Sequence, residues 1–104
     1  MTQSQFDALY SLAVQSSPHL ASRLARARQI LERQFQASPA ERPIRLKVEG
    51  EIWRFTVRSQ SNPLGHYMVI RWADKTTCCT CPDASKYICK HRLAVRMLCQ
   101  LMGA

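Results

Sequence analysis

Three features of the sequence predict an α+β architecture. Apolar residues recur at helical spacing over the first third, alternate with polar ones from Ile44 to Trp72, and return to helical spacing after His91. The alternating stretches are separated by only a few residues, as in an antiparallel meander. All five cysteines fall between Cys78 and Cys99, around the junction of the last strand and the last helix. A length of 104 residues suits one domain, or one domain with a helical arm.

Two helices come first. Over Thr2–Gln15, Phe6, Leu9, Tyr10, Ala13 and Val14 follow three- and four-residue spacing. Ser16-Ser17-Pro18 then reads as a helix start, with Ser17 at the N-cap and Pro18 in the first turn. Leu20, Leu24, Ala27, Leu31 and Phe35 form one stripe of the second helix, and His19, Arg23, Arg26 and Arg33 a wet, basic face. The stretch from Ser38 to Pro43 reads as a linker, so residues 1–43 form a helical arm and 44–104 a second unit, packed together as one compact body.

In the first strand Ile44, Leu46 and Val48 alternate with Arg45, Lys47 and Glu49, a half-buried pattern. Gly50 supplies a tight turn. Trp53, Phe55 and Val57 alternate with Arg54, Thr56 and Arg58 in the second strand, and a polar loop, Ser59–His66, follows. The third strand, Tyr67–Trp72, is expected to turn Met68, Ile70 and Trp72 inward and Tyr67, Val69 and Arg71 outward. Ala73-Asp74-Lys75 turns the chain into a short strand at Thr76–Cys79. The last helix runs from about His91 to Met102, with Ala94, Val95, Leu98, Leu101 and Met102 on its apolar side and Gly103 as its stop.

The chain is basic. Fifteen Lys and Arg, eleven of them Arg, against seven acids give a formal charge of +8. Such a balance speaks of partners rather than fold, and arginine favours forked contacts to phosphate or carboxylate. No apolar run approaches the roughly 18 residues of a membrane span, and Met1–Asp7 lacks the order of a secretory signal. An intracellular setting, cytoplasmic or nuclear, is therefore expected, in which five cysteines read as metal ligands or buried thiols rather than a disulfide framework.

Cys79-Thr80-Cys81 and Cys89-Lys90-His91 have the spacing of a zinc site. On an extended backbone residues i and i+2 share a face, so the sulfurs of Cys79 and Cys81 can meet one ion. In a helix i and i+2 lie about 200° apart, so Cys89 must precede the last helix while His91 opens it. The expected unit is a zinc knuckle followed by the C-terminal helix, with one structural Zn²⁺ in a closed Cys₃His set. Cys78 and Cys81 offer an alternative CxxC register. Cys99 lies on the apolar side of the last helix and reads as a buried thiol; His19 and His66 read as solvent-exposed.

With those residues in view, Trp53–Leu98 resembles the SWIM zinc finger family, whose signature is CxCx(n)CxH. The resemblance is carried by Arg54–Ser59, Tyr67–Ile70, Cys79-Thr80-Cys81-Pro82-Asp83 and Cys89-Lys90-His91-Arg92-Leu93-Ala94-Val95. It implies Cys79, Cys81, Cys89 and His91 as metal ligands, and a module that binds DNA or another protein rather than one that catalyses.

If Trp53, Phe55, Val57, Met68, Ile70 and Trp72 face the core, the opposite face collects Arg45, Lys47, Arg54, Arg58, Tyr67 and Arg71. Cations with an aromatic suit a nucleic-acid backbone and a stacked base. Lys86, Lys90, Arg92 and Arg96 form a second basic group around the zinc loop and last helix. The bland reading is that charges simply fill the wet side of a one-sided sheet. The expected function is a stand-alone zinc-finger protein binding nucleic acid, DNA before RNA, as an accessory factor. The rival is a protein-interaction adaptor built on the N-terminal helices. The sequence has no paired carboxylates, glycine-rich phosphate loop or nucleophile–base pair, so an enzyme is not expected.

Overall fold

The computed structural model describes residues 3–60, 65–81 and 88–103. Helix α1 spans Gln3–Ser16 and α2 Ala21–Gln36; four strands follow, β1 Ile44–Glu49, β2 Ile52–Arg58, β3 His66–Arg71 and β4 Thr77–Cys79, and α3, Lys90–Leu101, closes the fold. The strands pair antiparallel in the order β1-β2-β3-β4, the expected meander. No helix among the described residues is long and apolar enough to cross a membrane.

The helices pack on one face of the sheet. Leu24, Ala27 and Leu31 of α2 and Ala94, Val95 and Leu98 of α3 share a buried cluster with Phe55, Val57 and Val69. Ile30 is buried beside them, although it lies off the stripe read from the sequence. Phe6 joins α1 to this core and meets Phe35 edge to face at 5.8 Å. Arg28 locks α1 to α2: it donates to Asp7 and Glu32, each at 2.8 Å, and lies over the Tyr10 ring at 4.6 Å.

Several expectations need correcting. Ser17 makes no side-chain cap; a 3-10 turn at Pro18–Leu20 comes first, and the Leu20 N–H is satisfied by the Ser17 carbonyl at 2.9 Å. Leu46 and Val48 are on the inner side of β1 yet 40% and 53% exposed, because this edge of the sheet extends past the helices. Trp72 lies beyond the end of β3 and is exposed.

The main correction concerns β3. Its register pairs Val57 with Tyr67, Phe55 with Val69 and Trp53 with Arg71. Directly opposed residues share a face, so Tyr67, Val69 and Arg71 point inward, and Met68 and Ile70 outward, the reverse of the sequence reading. The pairing continues from Val69 to Cys79, giving one inner row, Leu46–Phe55–Val69–Cys79, across all four strands. Cys79 belongs on the side where α3 lies, and this register puts it there.

The turns follow local chemistry. Gly50 has a φ of +62° in the two-residue β1–β2 turn, the left-handed conformation glycine tolerates best. Between β3 and β4, Lys75 adopts φ +70°, while Asp74 accepts from the Thr76 N–H at 3.0 Å and its hydroxyl at 2.6 Å.

Candidate metal centre

The site forms where the end of β4 meets the start of α3. The Thr80 N–H donates to the Met68 carbonyl at 3.1 Å and its Oγ1 accepts from the Met68 N–H at 3.0 Å, prolonging the pairing beyond Cys79. Cys89 has extended dihedrals and is the N-cap of α3, while His91 lies in the first helical turn. That is the arrangement required by the impossibility of two helical ligands two residues apart.

Cys79, Cys81, Cys89 and His91 come together, with their ligand atoms all within 4.8 Å of one another. Cys81, Cys89 and His91 are buried and Cys79 half-buried. Cys78 is exposed and pairs with Ile70 on the outer side of the sheet, so the alternative CxxC register is not the one assembled. Cys99 is buried in the core, as expected, and His19 and His66 are exposed.

Backbone N–H groups favour thiolates here. The Cys81 N–H donates to Cys79 Sγ and the Arg92 N–H to Cys89 Sγ, both at 3.5 Å. The hydrogen bond with the Cys79 thiol pulls Cys89 down to about 3, against the opposing effect of burial and with help from His91 and the Arg92 N–H. The same contact with Cys89, reinforced by burial, holds the Cys79 thiol well above its ordinary range.

The donor set fits zinc. Three sulfurs and one imidazole are the ligands of a closed tetrahedral site, and His91 Nε2 is buried with no hydrogen-bond partner among the described residues. His91 Nδ1 lies 3.8 Å from Cys79 Sγ. Zinc takes the place of the thiol protons, so its binding releases protons and adds its affinity to folding. The Cys₃His cluster holds one structural ion, tying α3 to the sheet.

Two side chains read from the sequence as nucleic-acid contacts instead support the metal site. The Tyr67 ring stacks on His91 with centroids 4.6 Å apart, and Arg92 Nε donates to Thr77 Oγ1 at 3.0 Å, bracing α3 on β4. Each depends on the β3 and β4 registers, for which the sequence carried no local signal.

The SWIM zinc finger family model matches residues 67–96. This segment is a SWIM zinc finger. It begins at the tyrosine that stacks on the histidine ligand and ends within α3, so it contains all of the metal cluster. No curated protein and no solved structure matches the chain.

The basic residues are divided. Arg45, Lys47, Arg54 and Arg58 occupy the outer face of β1 and β2, with Lys47 directly opposite Arg54. Glu49 pairs with Lys47 at 3.5 Å and with Arg54 at 3.3 Å. Tyr67 and Arg71 leave the predicted outer surface: Tyr67 packs on His91 and Arg71 lies over the Trp53 ring at 4.9 Å. Arg96 is exposed, Lys90 partly so, and Arg92 is engaged with Thr77; Lys86 is outside the described residues.

Proposed function

We propose that this SWIM zinc finger binds the backbone of double-stranded DNA through the outer face of its sheet, as an accessory module without catalytic activity of its own. The reading rests on one observation, the register that gathers Arg45, Lys47, Arg54 and Arg58 on the face opposite the core. Lys90 and Arg96 would extend it at the side. The outer strand positions carry no Tyr, Phe or Trp once Tyr67 is turned inward, which favours phosphate contact over base stacking. Four protein ligands leave the zinc no open position for a substrate, which favours a binding role.

Fluorescence anisotropy with zinc-loaded protein and duplex DNA, single-stranded DNA and RNA, across a salt series, tests this. Counterion release sets a log–log slope of about −0.9 per phosphate contacted on a duplex. Arg54→Glu combined with Arg58→Glu should lower affinity and flatten the slope by roughly one per arginine lost, with zinc content unchanged. Unaltered affinity would remove the sheet face from consideration.

A second reading, a protein-interaction adaptor, is favoured by the large apolar side chains left exposed, Leu12 at 61% and Met102 at 53% among them. Absence of nucleic-acid binding at low salt would transfer the proposal to it.

A further inference from the structure

We propose that two copies of this chain pair antiparallel along β1, joining their sheets into one about a two-fold axis at Val48. β1 is the end strand of the sheet. The Arg58 N–H donates to the Pro43 carbonyl at 2.8 Å, and with this register Arg45, Lys47 and Glu49 turn their backbone groups to β2. Ile44, Leu46 and Val48 turn theirs outward. At Ile44 both groups are engaged: its N–H donates to Gln34 Oε1 at 2.8 Å and its carbonyl accepts from Gln34 Nε2 at 3.1 Å. The Gln34 amide imitates one rung of a neighbouring strand and ends the ladder there. Leu46 and Val48 have no such cap among the described residues.

This edge is also apolar. A cavity of about 460 Å³ lies between β1 and the ends of α2 and α3, lined by Phe35, Leu46 and Met102 among others. With Val48, these make four of the six large apolar side chains left exposed among the described residues. A monomer would present an open strand edge beside apolar side chains, the combination that natural sheets avoid.

The charges select a second copy as the occupant. Along the outer face of β1, Arg45 and Lys47 are followed at alternate positions by Glu49, two cations and then an anion. A two-fold axis through Val48 places Lys47 against the partner's Glu49, twice. Val48 meets the partner's Val48, and the turn at Gly50 and Glu51 ends the paired segment on each side. An axis one residue earlier would oppose two Lys47 side chains, and any half-residue shift would set apolar positions against charged ones. The contacts of Glu49 with Lys47 and Arg54 of its own chain are no obstacle, since all three side chains are exposed and such pairs are weak.

Sedimentation equilibrium of the zinc-loaded full chain, without nucleic acid, across a dilution series is the test. The expected mass is twice 11.9 kDa at high concentration, falling toward 11.9 kDa on dilution. Lys47→Glu should weaken the dimer by roughly tenfold or more, and adding Glu49→Lys should restore it, because the charges then oppose again. Val48→Pro removes one outward N–H while leaving the β2 ladder intact, and should give a monomer with normal zinc content. A chain that is monomeric throughout, or a dimer indifferent to both Lys47→Glu and Val48→Pro, overturns the proposal. Failure of the charge swap to restore a dimer broken by Lys47→Glu overturns this register.

Discussion

The first turn of α3 and the turns that follow are held against the same sheet by different physics. At the first turn, Cys89 and His91 converge with Cys79 and Cys81 on a metal, and the Tyr67 ring packs on His91. One turn further, Ala94, Val95 and Leu98 share a buried cluster with Ala27, Leu31 and Phe55. The packed part is divisible, since each side chain contributes its own buried area. The ligated part is not, since removing one ligand opens the whole set. A small core joined to a metal staple can therefore lose stability gradually at one end of a helix and abruptly at the other.

The largest expected effect breaks the metal end. Cys89→Ser or His91→Ala should abolish stoichiometric zinc and unfold at least the C-terminal unit, since structural zinc contributes on the order of 10 kcal/mol in small fingers. Metal analysis with thermal melting checks this; full occupancy and an unchanged melt in both variants would refute the assignment. Acidification should act in the same direction, because protons compete with zinc for the thiolates.

Next comes the packed end. Leu31→Ala should cost about 2–5 kcal/mol in urea unfolding while zinc remains stoichiometric. Loss of metal along with stability would show that the two anchors are one cooperative unit.

A smaller effect sharpens the boundary between them. Tyr67→Leu keeps apolar volume but removes the ring stacked on His91, and should weaken zinc binding about tenfold in a chelator competition. An unchanged affinity would mean the stack supports folding alone.

The smallest effect concerns Cys99, buried in α3, whose thiol is pushed above the ordinary value of 9.0 by burial, with Arg71 acting in the opposite sense. The folded chain therefore keeps a proton that the unfolded chain releases above that pH, so stability falls as pH rises past it. Cys99→Ala should reduce this alkaline loss in melts compared between neutral and alkaline buffer; an identical slope would count against it.

The metal end was the more legible of the two. Cys79-Thr80-Cys81 and Cys89-Lys90-His91 are constrained by rules that act within a few residues: two-residue alternation in a strand, and the angle per residue in a helix. Helix stripes and the short hairpin turns at Gly50 and Lys75 were legible for the same reason. The face of β3 was not, because Tyr67 and Val69 are about as apolar as Met68 and Ile70, so alternation left both orientations open. The exposure of Leu46 and Val48 was equally hidden, since their pattern reads as half-buried and only the reach of α2 and α3 leaves them uncovered.

By itself, then, the sequence determined the order of elements, the cysteine–histidine set and the basic balance, because spacing and composition act locally. The tertiary structure alone decided which way β3 faces. Bringing Cys79 beneath α3 requires Val69 and Phe55 to turn the same way, and that row carries Tyr67 and Arg71 inward with it. The basic face consequently narrows to Arg45, Lys47, Arg54 and Arg58, a consequence of pairing between segments far apart in the chain.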